Sequence, residues 1–261
     1  MALDISKLAY WRSPVFVIGT GRCGSTLLRK VLTSHPQLLV VADECNDLWH
    51  PRLYPYADRV IDAPAFHSSP RKFTEISLKN WPRYQPMLIR AKLARFALQR
   101  PGRCALVVKS PMLTFMCVRL LELFPLSRFI FLYRDGESTS RSWVAKDYEK
   151  KWSSTCTRDE YANVVREFWA ETMDHMRELE SSDLFNDGNF KRLRYEDLCS
   201  NPNAVLEEMA DFMGVDSNCY SFDMDSIENQ NGRHGAIEQT QKSSSKFKNW
   251  MEQLGYSDAI A

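Results

Sequence analysis

The sequence predicts an α/β fold, a P-loop-type central parallel sheet flanked by helices on both faces. Three observations predict it. Short apolar runs at residues 14–20, 38–42, 105–108, 129–133 and 190–194 read as strands. Segments with helical spacing alternate with them. The runs lead into a glycine-rich turn at Gly19, a lysine at Lys109 and an arginine at Arg134. Buried strands alternating with helices give a mostly parallel sheet covered on both sides. Ligands then sit at the carboxyl ends of the strands.

The elements follow in order. Residues 14–20 (PVFVIGT) are apolar and enter the glycine turn. Residues 25–34 are helical, with Leu27, Leu28, Val31 and Leu32 on one side. Residues 38–42 form the second strand. Residues 50–86 hold many prolines and aromatics without a clean period, which reads as an irregular insert with short helices. Residues 87–99 are helical. The third strand, 105–108, ends at Lys109. Residues 114–123 are helical and stop at Pro125. The fourth strand, 129–133, ends at Arg134. Helices then dominate over 137–181. After the late strand at 190–194, Asn201 caps a helix with Pro202 in its first turn, and Gly214 ends it. The expectation is one domain over 1–261, with an acceptor-side insert at about 50–100.

Composition narrows the function. At 261 residues and 44% hydrophobic, the chain can bury a sizeable core. Its net charge of +1 gives no global field for nucleic acid or an anionic membrane, so any anion site must be local. The cysteines at 23, 45, 104, 117, 156, 199 and 219 are odd in number and form no CxxC pair. They read as reduced thiols, with no disulfide framework and no metal site. No apolar run reaches the roughly 18 residues that span a bilayer, and no signal peptide is visible. The expected location is cytoplasmic.

The segment Gly19-Thr20-Gly21-Arg22-Cys23-Gly24-Ser25-Thr26 has P-loop spacing, with Ser25 where lysine belongs. Glycines let the backbone N–H groups converge on one oxyanion, and the helix N-terminus adds partial positive charge. Without lysine a triphosphate is poorly neutralised. A single 5′-phosphate bearing a transferable group needs less charge, and Arg22 supplies it. Alternatively the turn is purely structural. A second anion site follows at Arg134, a strand-end arginine before a serine-rich helix start at Ser138, Ser140 and Ser142. Lys146 lies one helical turn beyond Ser142. The bland alternative pairs Arg134 with Asp135 or Glu137 on the surface. Lys109 ends a buried strand, where lysine is uncommon unless it meets an anion.

FVIGTGRCGSTLL followed by His35-Pro36 resembles the 5′-phosphosulfate loop of the sulfotransferase superfamily. The variant is similar to the branch of tyrosylprotein and bacterial small-molecule sulfotransferases. The cytosolic steroid and phenol branch carries lysine in place of Arg22. VVKSPMLTFMCVRLLELFPLSRFIFLYRD and FKRLRYEDLCSNPNAVLEEMADFMGV also resemble the family, and the likeness covers residues 14–46, 104–147 and 190–255. It implies 3′-phosphoadenosine 5′-phosphosulfate (PAPS) as co-substrate. It implies that Gly21, Arg22, Cys23, Gly24, Ser25 and Thr26 hold the 5′-phosphosulfate. Arg134 and Ser142, eight residues apart, would hold the 3′-phosphate, with Lys146 assisting. Tyr195 would lie near the nucleotide. The stretch Gln241 to Lys246, before Trp250, resembles a basic loop over the cofactor, which brings in Ser244 and Lys246; it is also the composition of a solvated tail.

Lys109 is implied to contact the transferring sulfuryl group. A fixed cation there stabilises charge on the oxygen that leaves. The cytosolic branch has a histidine base two residues after this lysine, where this chain has Pro111. The likeness then implies a glutamate base near the second strand, Glu44 first and Asp43 second. His35, His50 and His67 compete, although His35 reads as a structural cap. Asp43, Glu44 and Asp47 together favour a neutral or cationic small-molecule acceptor. Two rivals remain open: a small-molecule kinase using ATP and magnesium, with Asp135 as its metal-binding acid, and a non-catalytic nucleotide-binding module.

Overall fold

The structure is a computed structural model that describes residues 10–41, 44–50, 69–223, 227 and 243–256. Five parallel strands form one sheet in the order β2-β3-β1-β4-β5. They are β1 (Val15–Gly19), β2 (Leu38–Val40), β3 (Ala105–Lys109), β4 (Arg128–Tyr133) and β5 (Phe190–Arg194). The helices are α1 (Ser25–Thr33), α2 (Asn46–Trp49), α3 (Pro70–Lys79), α4 (Gln85–Leu98), α5 (Cys117–Leu123), α6 (Gly136–Asp147), α7 (Arg158–Glu180), α8 (Tyr195–Ser200), α9 (Pro202–Met213) and α10 (Ser245–Gln253).

Alternation along the strands explains the two layers. Phe16, Ile18, Leu106, Val108, Phe129 and Phe131 point to one side and pack with Leu93, Trp169, Met173 and Phe247 of α4, α7 and α10. Val15, Val17, Val107, Ile130 and Leu132 point to the other and pack with α1, α8 and α9. Side chains alternate across a strand, so apolar residues at consecutive positions require cover on both faces. β1 is the central strand, and Val15, Phe16 and Val17 have no exposed surface. Because every strand is parallel, Gly19, Lys109, Tyr133 and Arg194 all end at one edge. That edge carries the site.

Two expectations shift. The helix expected over 114–123 begins as a 3₁₀ segment, Pro111–Met116, and becomes α-helical only at Cys117. The stretch 137–181 is dominated by helices, as expected. α6 ends at Asp147, a π turn covers Tyr148–Trp152, and α7 restarts behind Thr157. Thr157 and Glu160 form a reciprocal capping box, and Trp152 stacks on Tyr161 at 5.5 Å, so the break is locally stabilised. Asn201 occupies the N-cap of α9, yet its side chain makes no capping hydrogen bond. Pro202 in the first turn and the left-handed Gly214 (φ 73°) mark that helix instead. Part of the expected insert is helical as α3; residues 51–68 lie outside the described residues. Among the described residues no helix is long and apolar enough to cross a membrane.

Candidate active site

The turn between β1 and α1 is wedged between two aromatic side chains. The Trp143 indole donates to the Gly21 carbonyl (3.1 Å). A Cβ on Gly21 would stand 2.3 Å from the same indole. Gly24 is left-handed (φ 95°), and a Cβ there would stand 2.1 Å from the Tyr195 ring. Both glycines are therefore set by close approach, and Gly24 by its backbone angle as well. Thr114 fixes the start of the turn: its hydroxyl accepts from Gly19 N (2.8 Å) and donates to Gly19 O (2.7 Å).

Arg22, itself left-handed (φ 66°), turns toward α6, where its Nε donates to Ser142 Oγ (3.0 Å). Ser142 is buried. The Arg134 guanidinium lies over the Tyr195 ring at 4.6 Å, a cation–π contact. Tyr195 thus has Gly24 against its ring and Arg134 stacked on it. Burial foremost, with a contribution from Cys199, pushes its hydroxyl up to about 12, so it stays protonated. Arg134 is not spent on its neighbouring acids. Glu137 is taken by Arg166 in a two-pronged pair, 2.9 Å on each prong, and Asp135 caps α6 through Ser138 N (2.5 Å).

Lys109, only 7% exposed, ends β3 and makes an ion pair with the Glu44 carboxylate in the segment after β2. Its cation is also close enough to Cys23 to oppose the rise of that thiol. Burial still lifts Cys23 to about 11, so it packs as a neutral thiol. Ser110 Oγ, buried beside Lys109, has no hydrogen-bond partner among the described residues. Glu44 is held in place through its backbone, whose carbonyl accepts from Trp49 Nε1 (3.0 Å).

The structure gathers Gly21, Arg22, Cys23, Gly24, Ser25, Thr26, Ser142, Tyr195 and Arg134 around one turn, and pairs Lys109 with Glu44. The other expected residues have these surroundings. Lys146 is exposed at the last turn of α6. Ser244 is the N-cap of α10, accepting from Phe247 N (3.2 Å). Lys246 is tied to Glu171 (2.8 Å) and Asp174 (2.6 Å) on α7, and Trp250 donates to Asp174 (2.8 Å). The ammonium of Lys246 therefore sits among carboxylates. His35 is a cap: Nδ1 accepts from Gln37 N and Nε2 lies 2.6 Å from the Asp216 carbonyl. His50 is fully buried and bonded to Ser77, and desolvation lowers it to about 4, leaving it neutral at ordinary pH. Asp43, His67, Gln241, Lys242 and the side chain of Asp47 lie outside the described residues. Trp143 and Thr114 were not foreseen. Trp143 adjoins Ser142 and Thr114 follows Lys109 by five residues, but neither carries a charge that would single it out. A cleft lined by Phe185, Phe190 and Lys191 lies at the start of β5, the opposite end of the sheet.

Fold and site together define an α/β protein with a glycine-rich, cation-lined turn at the carboxyl edge of a parallel sheet. The chain belongs to the sulfotransferase family, which it matches over residues 14–218. The general activity of that family is sulfotransfer. Three solved structures share the fold. The sulfotransferase domain of the Synechococcus PCC 7002 olefin synthase is 21% identical with a TM-score of 0.60, covering 94% of this chain and 96% of that one. The sulfotransferase domain from the curacin biosynthetic pathway is 19% identical (TM-score 0.57, 94% and 98% covered). A sulfotransferase from Alicyclobacillus acidocaldarius is 13% identical (TM-score 0.53, 95% of each chain). A comparison with curated proteins gives no match.

Proposed function

We propose that the chain moves a sulfuryl group from PAPS to a hydroxyl or amine of a small-molecule acceptor, neutral or cationic. The observation that carries this reading is the stack of Gly24, Tyr195 and Arg134, which sets a second cation beside the turn that Arg22 already lines. A nucleotide phosphorylated at both the 5′ and 3′ positions needs two such sites. The hydrogen bond from Arg22 to Ser142 spans them (3.0 Å). The Ser110 hydroxyl, unpartnered among the described residues, offers a further polar contact next to Lys109.

In this reading the turn's backbone N–H groups and Arg22 hold the 5′-phosphosulfate, and Arg134 and Ser142 hold the 3′-phosphate. The acceptor oxygen or nitrogen attacks sulfur in line. The bond from sulfur to the bridging oxygen breaks, and its electron pair stays on the 5′-phosphate. Lys109 stabilises that charge. Glu44 takes the acceptor's proton. The ion pair of Lys109 with Glu44 keeps both groups at one point. All seven cysteines are free thiols, which suits the cytoplasm as the proposed location.

The test is a screen of hydroxyl and amine acceptors with PAPS, read by mass spectrometry for a sulfate increment. Turnover is expected with PAPS and not when ATP with magnesium replaces it. Glu44→Gln is expected to lower kcat by roughly 10²–10⁴-fold, the usual worth of a positioned base. Phosphorylated product from ATP would overturn the reading, and so would full activity of Glu44→Gln.

A further inference from the structure

We infer that the outward face of α4 is a docking surface for an acidic protein. The sequence holds a long run without acids around this helix. Between Glu75 and Glu122 the chain holds no Asp or Glu, while α4 and its flanks carry Arg83, Arg90, Lys92, Arg95, Arg100 and Arg103. The whole chain has a net charge of only +1, so this basic region is balanced by acids elsewhere. The charge is concentrated on one part of the molecule.

The same helix holds an unusual share of exposed apolar surface. Tyr84 (58% exposed), Met87 (65%), Leu88 (42%) and Leu98 (62%) are four of the eight large hydrophobic residues exposed among the described residues. Helical spacing places residues 84, 87, 88, 91, 95 and 98 on one side. Ile89, Leu93 and Ala97 occupy the other side and are buried in the core. A surface helix normally turns a polar face outward. This one is apolar on both sides, with cations along its outer face. A contiguous exposed apolar stripe marks a contact surface.

The chemistry of the stripe selects the partner. Arg95 falls in its middle, between Leu88 and Leu98 on the helical net. Sinking the stripe into hydrocarbon would take that guanidinium with it, which is costly. A protein surface can meet it with a carboxylate in a two-pronged pair. Tyr, Met and Arg are also the residues enriched in protein interfaces. Arg90 donates to the Leu123 carbonyl (3.0 Å) and Arg103 to the Pro36 carbonyl, so those two help hold the fold. Arg83 and Arg95 are exposed and make no ion pair among the described residues. The face begins beside the site: Gln85 donates to the Leu48 carbonyl and Trp81 to that of Trp49 (2.9 Å), in the segment that carries Glu44.

The probe is a fluorescent synthetic helical peptide with a leucine stripe flanked by glutamates, titrated into the full chain and read by anisotropy. An isomer of the same composition with the stripe scrambled serves as comparison. The amphipathic peptide is expected to bind at least about tenfold tighter than its isomer. Arg83→Glu/Arg95→Glu is expected to weaken it at least tenfold, and Met87→Ser/Leu98→Ser several-fold, with circular dichroism and melting temperature unchanged in both. Equal binding of peptide and isomer overturns the inference. So does unchanged binding by the charge-reversed variant. Sedimentation of the wild-type chain with phosphatidylserine vesicles, abolished by Met87→Ser/Leu98→Ser, also overturns it in favour of a lipid surface.

Discussion

Lys109→Ala is expected to lower kcat by roughly 10²–10³-fold, the worth of one preorganised group facing developing negative charge. The proposed reaction places that charge on the oxygen leaving sulfur. Lys109 is 7% exposed, paired with Glu44, and close enough to Cys23 to act on its thiol electrostatically. Its cation therefore stands at the turn with little competing water. Because the charge appears only as the bond breaks, kcat should fall far more than KM for PAPS rises. Lys109→Arg keeps the charge and should recover part of the rate. Steady-state kinetics of the three proteins decide the matter. A raised KM with unchanged kcat would make Lys109 a binding group only.

Gly24→Ala is expected to cost about 3 kcal/mol of stability and to abolish measurable binding of adenosine 3′,5′-bisphosphate (PAP), the desulfated donor. Two effects add. The backbone at φ 95° is strained for any residue with a Cβ, worth roughly 1–3 kcal/mol. The new methyl would also overlap the Tyr195 ring, which lies 2.1 Å from its position, and overpacking of that kind costs a similar amount. Tyr195 cannot yield without moving Arg134, which stacks on it. Gly102 provides the comparison: its φ is 88°, yet nothing lies within 4 Å of an added Cβ. Gly102→Ala should show the backbone strain alone and bind PAP normally. Thermal melting and calorimetry on both variants separate clash from strain. Equal behaviour of the two would deny Tyr195 its place against the turn.

Most of the sheet was legible because each strand is apolar at consecutive positions. β5, for example, runs over the residues expected of it, Phe190–Arg194. The turn was legible because its glycines are spaced as a phosphate-binding backbone demands. What escaped was set by contacts distant in sequence. The packing of Trp143 on Gly21 joins residues 122 apart, and no local pattern announces it. Within the helical stretch 137–181, Thr157 with Glu160 is the local signal of the second helix start. Asn201 has the residue type of a cap, yet with its backbone at φ −143° and ψ 62° its side chain makes no capping bond. Lys246 follows a run of serines, and the acids of α7 that hold it lie some 70 residues earlier, beyond any local pattern.

The central claim is that Arg134 supplies a second anion site beside the turn. The most direct measurement is calorimetric titration of wild-type protein and Arg134→Ala with PAP and with adenosine 5′-monophosphate, which lacks the 3′-phosphate. A charge-assisted bond worth about 2 kcal/mol corresponds to roughly 30-fold in affinity. The wild-type protein should therefore prefer PAP by about that factor, and Arg134→Ala should lose the preference while binding the monophosphate unchanged. Equal affinity of the wild-type protein for both nucleotides would contradict the account.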